Sequence, residues 1–209
     1  MTATTIEREE IQIGSSSSST IAQPTRTIAI SVDGSKYSEH AVTYAINNVI
    51  NPSSDAIILL HVRPTFVIPP APDVNYNTYH EKVEKKYQQD SHDILQKYLD
   101  IIHASGVEYT HGVKAHGLFG EHAKETIVDF VNRHLKNADT LVIGSRGLNA
   151  VSRALLGSTS DYVAHHAHCS VLIVKPTSEE SKKEKLVETV GVNEAGFTAA
   201  PVAATYKAI

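Results

Sequence analysis

Gly144-Ser145-Arg146-Gly147 is followed by nine residues and then by Gly157-Ser158. Glycine is the residue for positions where the backbone takes a positive φ or passes close to a ligand. A glycine turn after a strand presents successive N–H groups as an anion cradle. A helix that starts at Ser158 adds free N–H groups and the positive end of its dipole. Ser158 and Asp161 have the S-x-x-D spacing of a capping box, which supports a helix start there. Arg146 and Arg153 bring positive charge to the same loop. Together these parts describe a phosphate site.

Other chemistries lack their residues. No Gly-Lys-Ser/Thr occurs, so the loop is not a Walker A motif, and G-x-G-x-x-G is absent as well. There is no G-x-S-x-G nucleophile elbow. The chain carries 12 histidines, of which His165, His166 and His168 cluster. Adjacent helical positions diverge by about 100°, so 165 and 166 do not converge on one ion. No H-E-x-x-H or paired-cysteine pattern points to zinc. These histidines are expected to cover a helix C-terminus, where positive charge is favourable. His61 is expected to be a buried, satisfied histidine, and Cys169 a buried, inert thiol.

A loop that begins where a strand ends needs elements to hold it. Residues 27–32 (TIAISV) form a short apolar run that stops at Asp33-Gly34, the mark of a buried strand. Ala41, Val42, Ala45, Ile46 and Val49 then recur at helical spacing, after possible caps at Ser35 and Ser38. Residues 56–62 (AIILLHV) form a continuously apolar strand, as expected when both faces are covered. Pro64, Pro69, Pro70 and Pro72 mark a long loop. A long helix follows, with Val83, Tyr87, Ile94, Tyr98 and Ile102 on one face, ending at Gly106. Residues 107–113 read as a weaker strand. Ala123, Ile127, Phe130, Val131 and Leu135 mark another helix. Residues 140–143 form a strand running straight into Gly144, 158–167 a short helix, and 170–174 a last strand closed by Pro176.

Five strands alternating with four helices require right-handed crossovers. That makes a doubly wound α/β sandwich, a parallel sheet with helices on both faces. Such sheets bind ligands beyond the carboxyl ends of the strands, where the winding reverses. The informative positions are therefore Asp33, Val62 with the proline loop, and Gly144 onward.

Composition sets the limits. The chain has 209 residues, 41% hydrophobic, with net charge −4. There is no overall basic field for nucleic acid. Apolar runs are too short to span a bilayer, and one cysteine excludes an internal disulfide. No signal peptide or presequence is evident at the N-terminus, so a cytoplasmic location is expected. Residues 1–25, with the serine run Ser15 to Ser19, and residues 177–209 are expected to be flexible tails around one domain at 26–176.

In these residues the chain resembles the universal stress protein family. Gly144, Gly147, Gly157 and Ser158 match the family's ATP-binding signature G-x2-G-x9-G-(S/T), and residues 144–176 are similar to its C-terminal third throughout. The first strand with Asp33 and the second strand ending at His61-Val62 match too. The resemblance covers about residues 26–176. It implies the adenine nucleotide alpha hydrolase-like sandwich with five parallel strands in order 3-2-1-4-5. It implies that Asp33 holds the ribose or adenine side, that Val62 packs on adenine, and that Gly144, Gly147, Gly157 and Ser158 wrap the phosphates and ribose. Ser31, Val32, Ser145, Arg146 and Thr159 are neighbouring candidates. The implied cofactor is ATP or another adenine nucleotide with Mg²⁺, which Asp33 would touch only through Mg-ATP. The implied assembly is a homodimer through the last strand, Val171 to Val174.

Each site residue has a structural alternative. Asp33 could cap the first helix, Val62 could be plain core, and Ser158 could be only an N-cap. Three functions follow: a nucleotide-dependent stress regulator read by a protein partner, a slow ATPase or phosphotransferase, or an interaction module independent of nucleotide. No residue set marks a catalytic site.

Overall fold

In a computed structural model, residues 8–13, 23–65, 76–147 and 156–176 are described. They contain β1 (Arg8–Ile13), β2 (Arg26–Ser31), α1 (Lys36–Asn48), β3 (Asp55–Pro64) and α2 (Tyr76–Ala104). β4 (Val113–Gly120), α3 (Ala123–His134), β5 (Ala138–Gly144), α4 (Ser158–His166) and β6 (Ser170–Val174) follow. The strands form one sheet in the order β1-β4-β3-β2-β5-β6. β4, β3, β2, β5 and β6 are all parallel, which is the order 3-2-1-4-5 when counted from β2. The order reverses between β2 and β5, so the carboxyl ends of these two strands flank the switch point.

Period-two alternation splits the apolar residues between two layers. Ile28, Ile30, Ile57, Leu59 and Val142 face α1 and α2, where they meet Ala41, Val42, Leu95 and Leu99. Ala29, Ile58, Leu60, Leu141 and Ile143 face α3 and α4, where they meet Ile127, Phe130, Val131 and Val163. Leu95 and Leu99, flanking Tyr98, are buried more deeply than the predicted Val83 and Tyr87.

Two elements differ from the sequence reading. Residues 8–13, expected to lie in a flexible tail, form β1, pairing antiparallel with β4 from Arg8↔Leu118 to Ile13↔Val113. An edge strand needs a partner more than 100 residues away, and no local pattern announces one. The strand expected at 107–113 instead begins at Val113. Gly106 and Gly112 both take positive φ, near +68° and +67°, so the segment between them turns. Val113, Ala115 and Leu118 then supply the buried positions. The serine run, residues 66–75 of the proline loop, Arg153 and the C-terminal segment 177–209 lie outside the described residues.

At the opposite end of the sheet, Asp55 is fully buried and ties three elements together. It accepts from Arg26 Nη2 at 2.6 Å and from Asn51 N at 2.8 Å. Burial opposes its charge. The Arg26 hydrogen bond, with those from Asn51 N–H and the Ser54 hydroxyl, outweighs that and holds its pKa below the usual carboxylate range.

Candidate functional site

Beyond Ser31 the chain leaves β2, and Val32 N donates to Leu60 O at 2.8 Å. Asp33-Gly34 then turns the chain into α1, with Gly34 at φ +77°. Ser35 is the N-cap, its side chain accepting from Ser38 N. Asp33 Oδ1 accepts from Ser35 N at 3.1 Å and from Ser38 Oγ at 2.6 Å. Asp33 N donates to Ser38 Oγ at 3.1 Å. The N-cap is thus Ser35 and not Asp33, which instead braces the cap through Ser35 N and Ser38 Oγ and stands at the switch point facing the glycine loop.

The three motif glycines are explained by close approach rather than by φ, since none of them is at positive φ. A Cβ on Gly144 would lie 2.8 Å from the Tyr37 carbonyl oxygen, so this glycine lets β5 meet the first turn of α1. A Cβ on Gly147 would overlap Asp33 Oδ2. A Cβ on Gly157 would crowd Arg146 Cα and Ser145 O, both at 3.3 Å. Ser145 is buried: its N–H donates to Val174 O at 2.8 Å, and its carbonyl accepts from Gly157 N at 2.8 Å and Ser160 Oγ at 3.1 Å. The loop is thereby pinned to the end of β6 and to the start of α4.

The N-cap of α4 is Gly157, with φ −75° and ψ 152°, and there is no side-chain cap. The expected Ser158–Asp161 capping box is therefore not formed. Ser158 is already the first helical residue, so its hydroxyl cannot reach back as an N-cap would. Ser160 Oγ bonds the Gly157 carbonyl at 2.9 Å instead.

From β3, Val62 faces the same space. Its neighbour His61 is buried and its Nδ1 lies 2.9 Å from Val32 O, so Nδ1 carries the proton and donates. Burial lowers the His61 pKa, against the opposing pull of the Val32 carbonyl and Asp33. Arg63 pairs with Glu84 of α2 and lies over the Phe119 ring, 4.6 Å from its centroid. This braces the end of β3.

These elements enclose a cavity of about 510 Å³. Of the predicted residues, Ser31, Val32, Asp33, Val62, Gly144, Arg146, Gly147, Gly157, Ser158 and Thr159 line it. Ser145 does not: it is buried, with its main chain tied to Val174, Gly157 and Ser160. The sequence reading missed Ser38 and Ser160, which add polar groups, and Ala123, Ile127, Ile143 and Leu156, which form an apolar wall. The sequence signals for Ala123 and Ile127 were present: they lie at i and i+4, at the start of a helix that follows a strand carboxyl end. The chamber is lined both by apolar residues from β3, β5 and α3 and by hydroxyls, a carboxylate and a guanidinium. Its size falls within the ordinary range for small-molecule sites.

The histidines of α4 sit outside it. His166 stacks on Tyr162 with ring centroids 3.9 Å apart, and its Nδ1 lies 2.8 Å from Tyr162 O. Asn132 of α3 closes the C-terminus of α4, donating to His166 O at 3.0 Å and accepting from His168 N at 2.9 Å. Among the described residues no group of three or more His, Cys, Asp or Glu is placed to hold a metal ion. Cys169 is half-buried rather than buried, packed against the α3–α4 core, and burial pushes its thiol pKa up. No helix among the described residues is long and apolar enough to cross a membrane.

Comparison with known proteins gives a consistent result. The model of the universal stress protein family matches residues 24–175. A Staphylococcus aureus (strain USA300) protein named for that family is 28% identical over 169 residues, covering 81% of this chain and 95% of its own. Universal stress protein UspA from Lactobacillus plantarum has a similar structure: TM-score 0.59, 22% identity, 73% of this chain and 99% of the other. A family member from Arabidopsis thaliana, solved with AMP bound, has a TM-score of 0.50 at 22% identity, covering 74% of this chain and 94% of its own.

Proposed function

Since this chain belongs to the universal stress protein family, we propose that it is a nucleotide-dependent regulator in the stress response, binding ATP or another adenine nucleotide with Mg²⁺. The observation that carries this is the chamber itself. It brings Asp33 and Val62, 29 positions apart, to face Gly144–Gly147 and the first turn of α4 across one space. The Arabidopsis relative, which shares the fold, holds AMP.

The donor set suits such a ligand. The apolar wall of Val62, Ile127 and Ile143 can take a flat base. The first turn of α4, with Ser158 and Thr159, offers N–H groups and hydroxyls to phosphate. Gly147 keeps the loop backbone against Asp33, where any side chain would intrude. Asp33 spends Oδ1 on Ser35 and Ser38. We assign it only an indirect role toward Mg²⁺, through the nucleotide. The protein works by occupancy: nucleotide fixes the shape of the loop, and a protein partner reads it. Catalysis is at most slow ATP hydrolysis.

The assembly we propose is a cytoplasmic homodimer through β6. Val171, Leu172 and Ile173 of this edge strand are only half-buried, which leaves apolar surface and backbone groups for a second copy.

A second reading has one observation in its favour. Each motif glycine is already required by a contact within the chain, so the motif could serve a nucleotide-independent interaction module. Calorimetry with Mg-ATP separates the two. Binding that is lost in Gly157→Val, in a protein still folded by circular dichroism, supports the nucleotide reading. Absence of binding at millimolar ATP overturns it.

A further inference from the structure

Arg146 is the cation among the described residues that line the chamber. Its backbone cannot drift, because Ser145 on one side is bonded to Val174, Gly157 and Ser160, and a Gly157 Cβ would already crowd its Cα. Only its side chain can move, and Tyr37 holds that. Arg146 Cζ lies 5.8 Å from the Tyr37 ring centroid, and Arg146 Nη1 donates to the Tyr37 hydroxyl at 3.3 Å. Tyr37 is itself packed in: it is 7% exposed, and its carbonyl abuts Gly144. Lys36 Nζ lies 5.8 Å from the same ring, so a second cation stands at the start of α1.

We propose that Tyr37 is a positioning residue that presents Arg146 to the outer phosphates of the nucleotide, making the site selective for phosphate-chain length. The inference rests on the nucleotide reading above and deepens it. The N-terminus of α4 satisfies one phosphate without discriminating among nucleotides. Each further phosphate adds charge that needs a cation. A guanidinium suits it, because its planar fork binds phosphate oxygens in pairs and stacks on an aromatic face. A ring that holds the fork beforehand lowers the rotamer entropy lost on binding. The adenine side of the chamber has no such dependence on charge.

The test is the ratio of ATP to AMP affinity, measured by calorimetry on the full chain. In Arg146→Gln, ATP affinity falls at least about tenfold, the loss expected for charge-assisted hydrogen bonds, while AMP affinity changes less than about twofold. Tyr37→Phe keeps the ring and the fold but removes the hydroxyl, and it lowers the ratio by a smaller factor. Tyr37→Leu lowers it further if folded. Tyr37→Phe added to Arg146→Gln has no further effect on the ratio. Equal losses for ATP and AMP in Arg146→Gln, or an unchanged ratio in Tyr37→Phe, overturn the proposal and leave the nucleotide reading standing. A wild-type protein that binds neither nucleotide overturns both.

Discussion

The backbone of Gly147 passes against the carboxylate of Asp33, so closely that a Cβ at position 147 would overlap Asp33 Oδ2. Asp33 cannot simply swing away, because Oδ1 is bonded to Ser35 N and Ser38 Oγ. The first strand's acidic residue and the glycine loop, more than 100 residues apart, therefore set each other's position.

Gly147→Ala is expected to damage the site more than the fold. Either Asp33 gives up its hydrogen bonds to Ser35 and Ser38, or the loop lifts. Adenine-nucleotide affinity then falls at least about tenfold, with a melting temperature lowered by only a few degrees. Calorimetry and a thermal melt on one preparation check this; full affinity would show that this loop does not wall the nucleotide.

Gly144→Ala is expected to do the reverse. Its Cβ would meet the Tyr37 backbone at 2.8 Å, and backbone does not yield as a side chain tip does. Overpacking of this kind costs about 1–3 kcal/mol. For a chain of this size that is a fall of roughly 2–12 °C in melting temperature. An unchanged melt would mean that α1 and β5 are not in firm contact at this point.

His61 makes stability depend on pH. Burial lowers its folded pKa, so the native state holds it neutral. Above the unfolded value near 6.5 both states are neutral and the contribution is complete. As the pH falls below that, the unfolded chain binds the proton first, and stability is lost until the folded pKa is reached. His61→Asn keeps a donor toward Val32 O and removes the titration. Denaturant melts at pH 7.5 and 5.5 should show a smaller difference for the variant than for the wild type. Equal differences would exclude His61 as the group responsible.

Asp55 acts in a lower window. Its folded pKa is lowered, so its contribution is present above the unfolded value near 3.9 and is lost as the pH falls through the folded one. Asp55→Asn should therefore flatten the stability profile below about pH 4 and leave the His61 window untouched. Melts across both windows would show it; a change confined to the higher one would contradict the assignment.

Removing residues 1–22 takes away β1 and uncovers β4 from Val113 to Leu118. The five parallel strands and both core layers remain, so the domain should stay folded. An unpaired edge is a template for further strands, and light scattering should find added self-association in the truncated protein. A monodisperse truncated protein of unchanged size would mean that β1 does not protect this edge.

Much of the fold was legible because it is written in short-range pattern. Apolar runs of strand length alternate with helical spacings, and a parallel sheet with helices on both faces follows from that alternation. Asp33, Val62, Gly157 and Ser158 could be placed because each stands at or just beyond the carboxyl end of a strand or at a helix start, where the ends converge in a doubly wound sheet. The sequence also carried the wrong boundary at 107–113, since hydrophobic pattern does not register the positive-φ glycines on either side of the turn. It likewise suggested a capping box at Ser158 that Gly157 pre-empts.

The residue types and their spacing determined by themselves that a glycine loop runs from a buried strand into a helix and faces an acidic residue. Tertiary structure alone decided what each glycine is for: Gly144 admits Tyr37, Gly147 admits Asp33, and Gly157 admits the backbone of residues 145 and 146. It alone sent Ser145 inward, set Arg146 on Tyr37, and gave β4 a partner strand from residues 8–13. The reason is physical. Periodicity and capping are properties of neighbours along the chain, whereas close approach and strand pairing join residues tens to more than a hundred positions apart and leave no local trace.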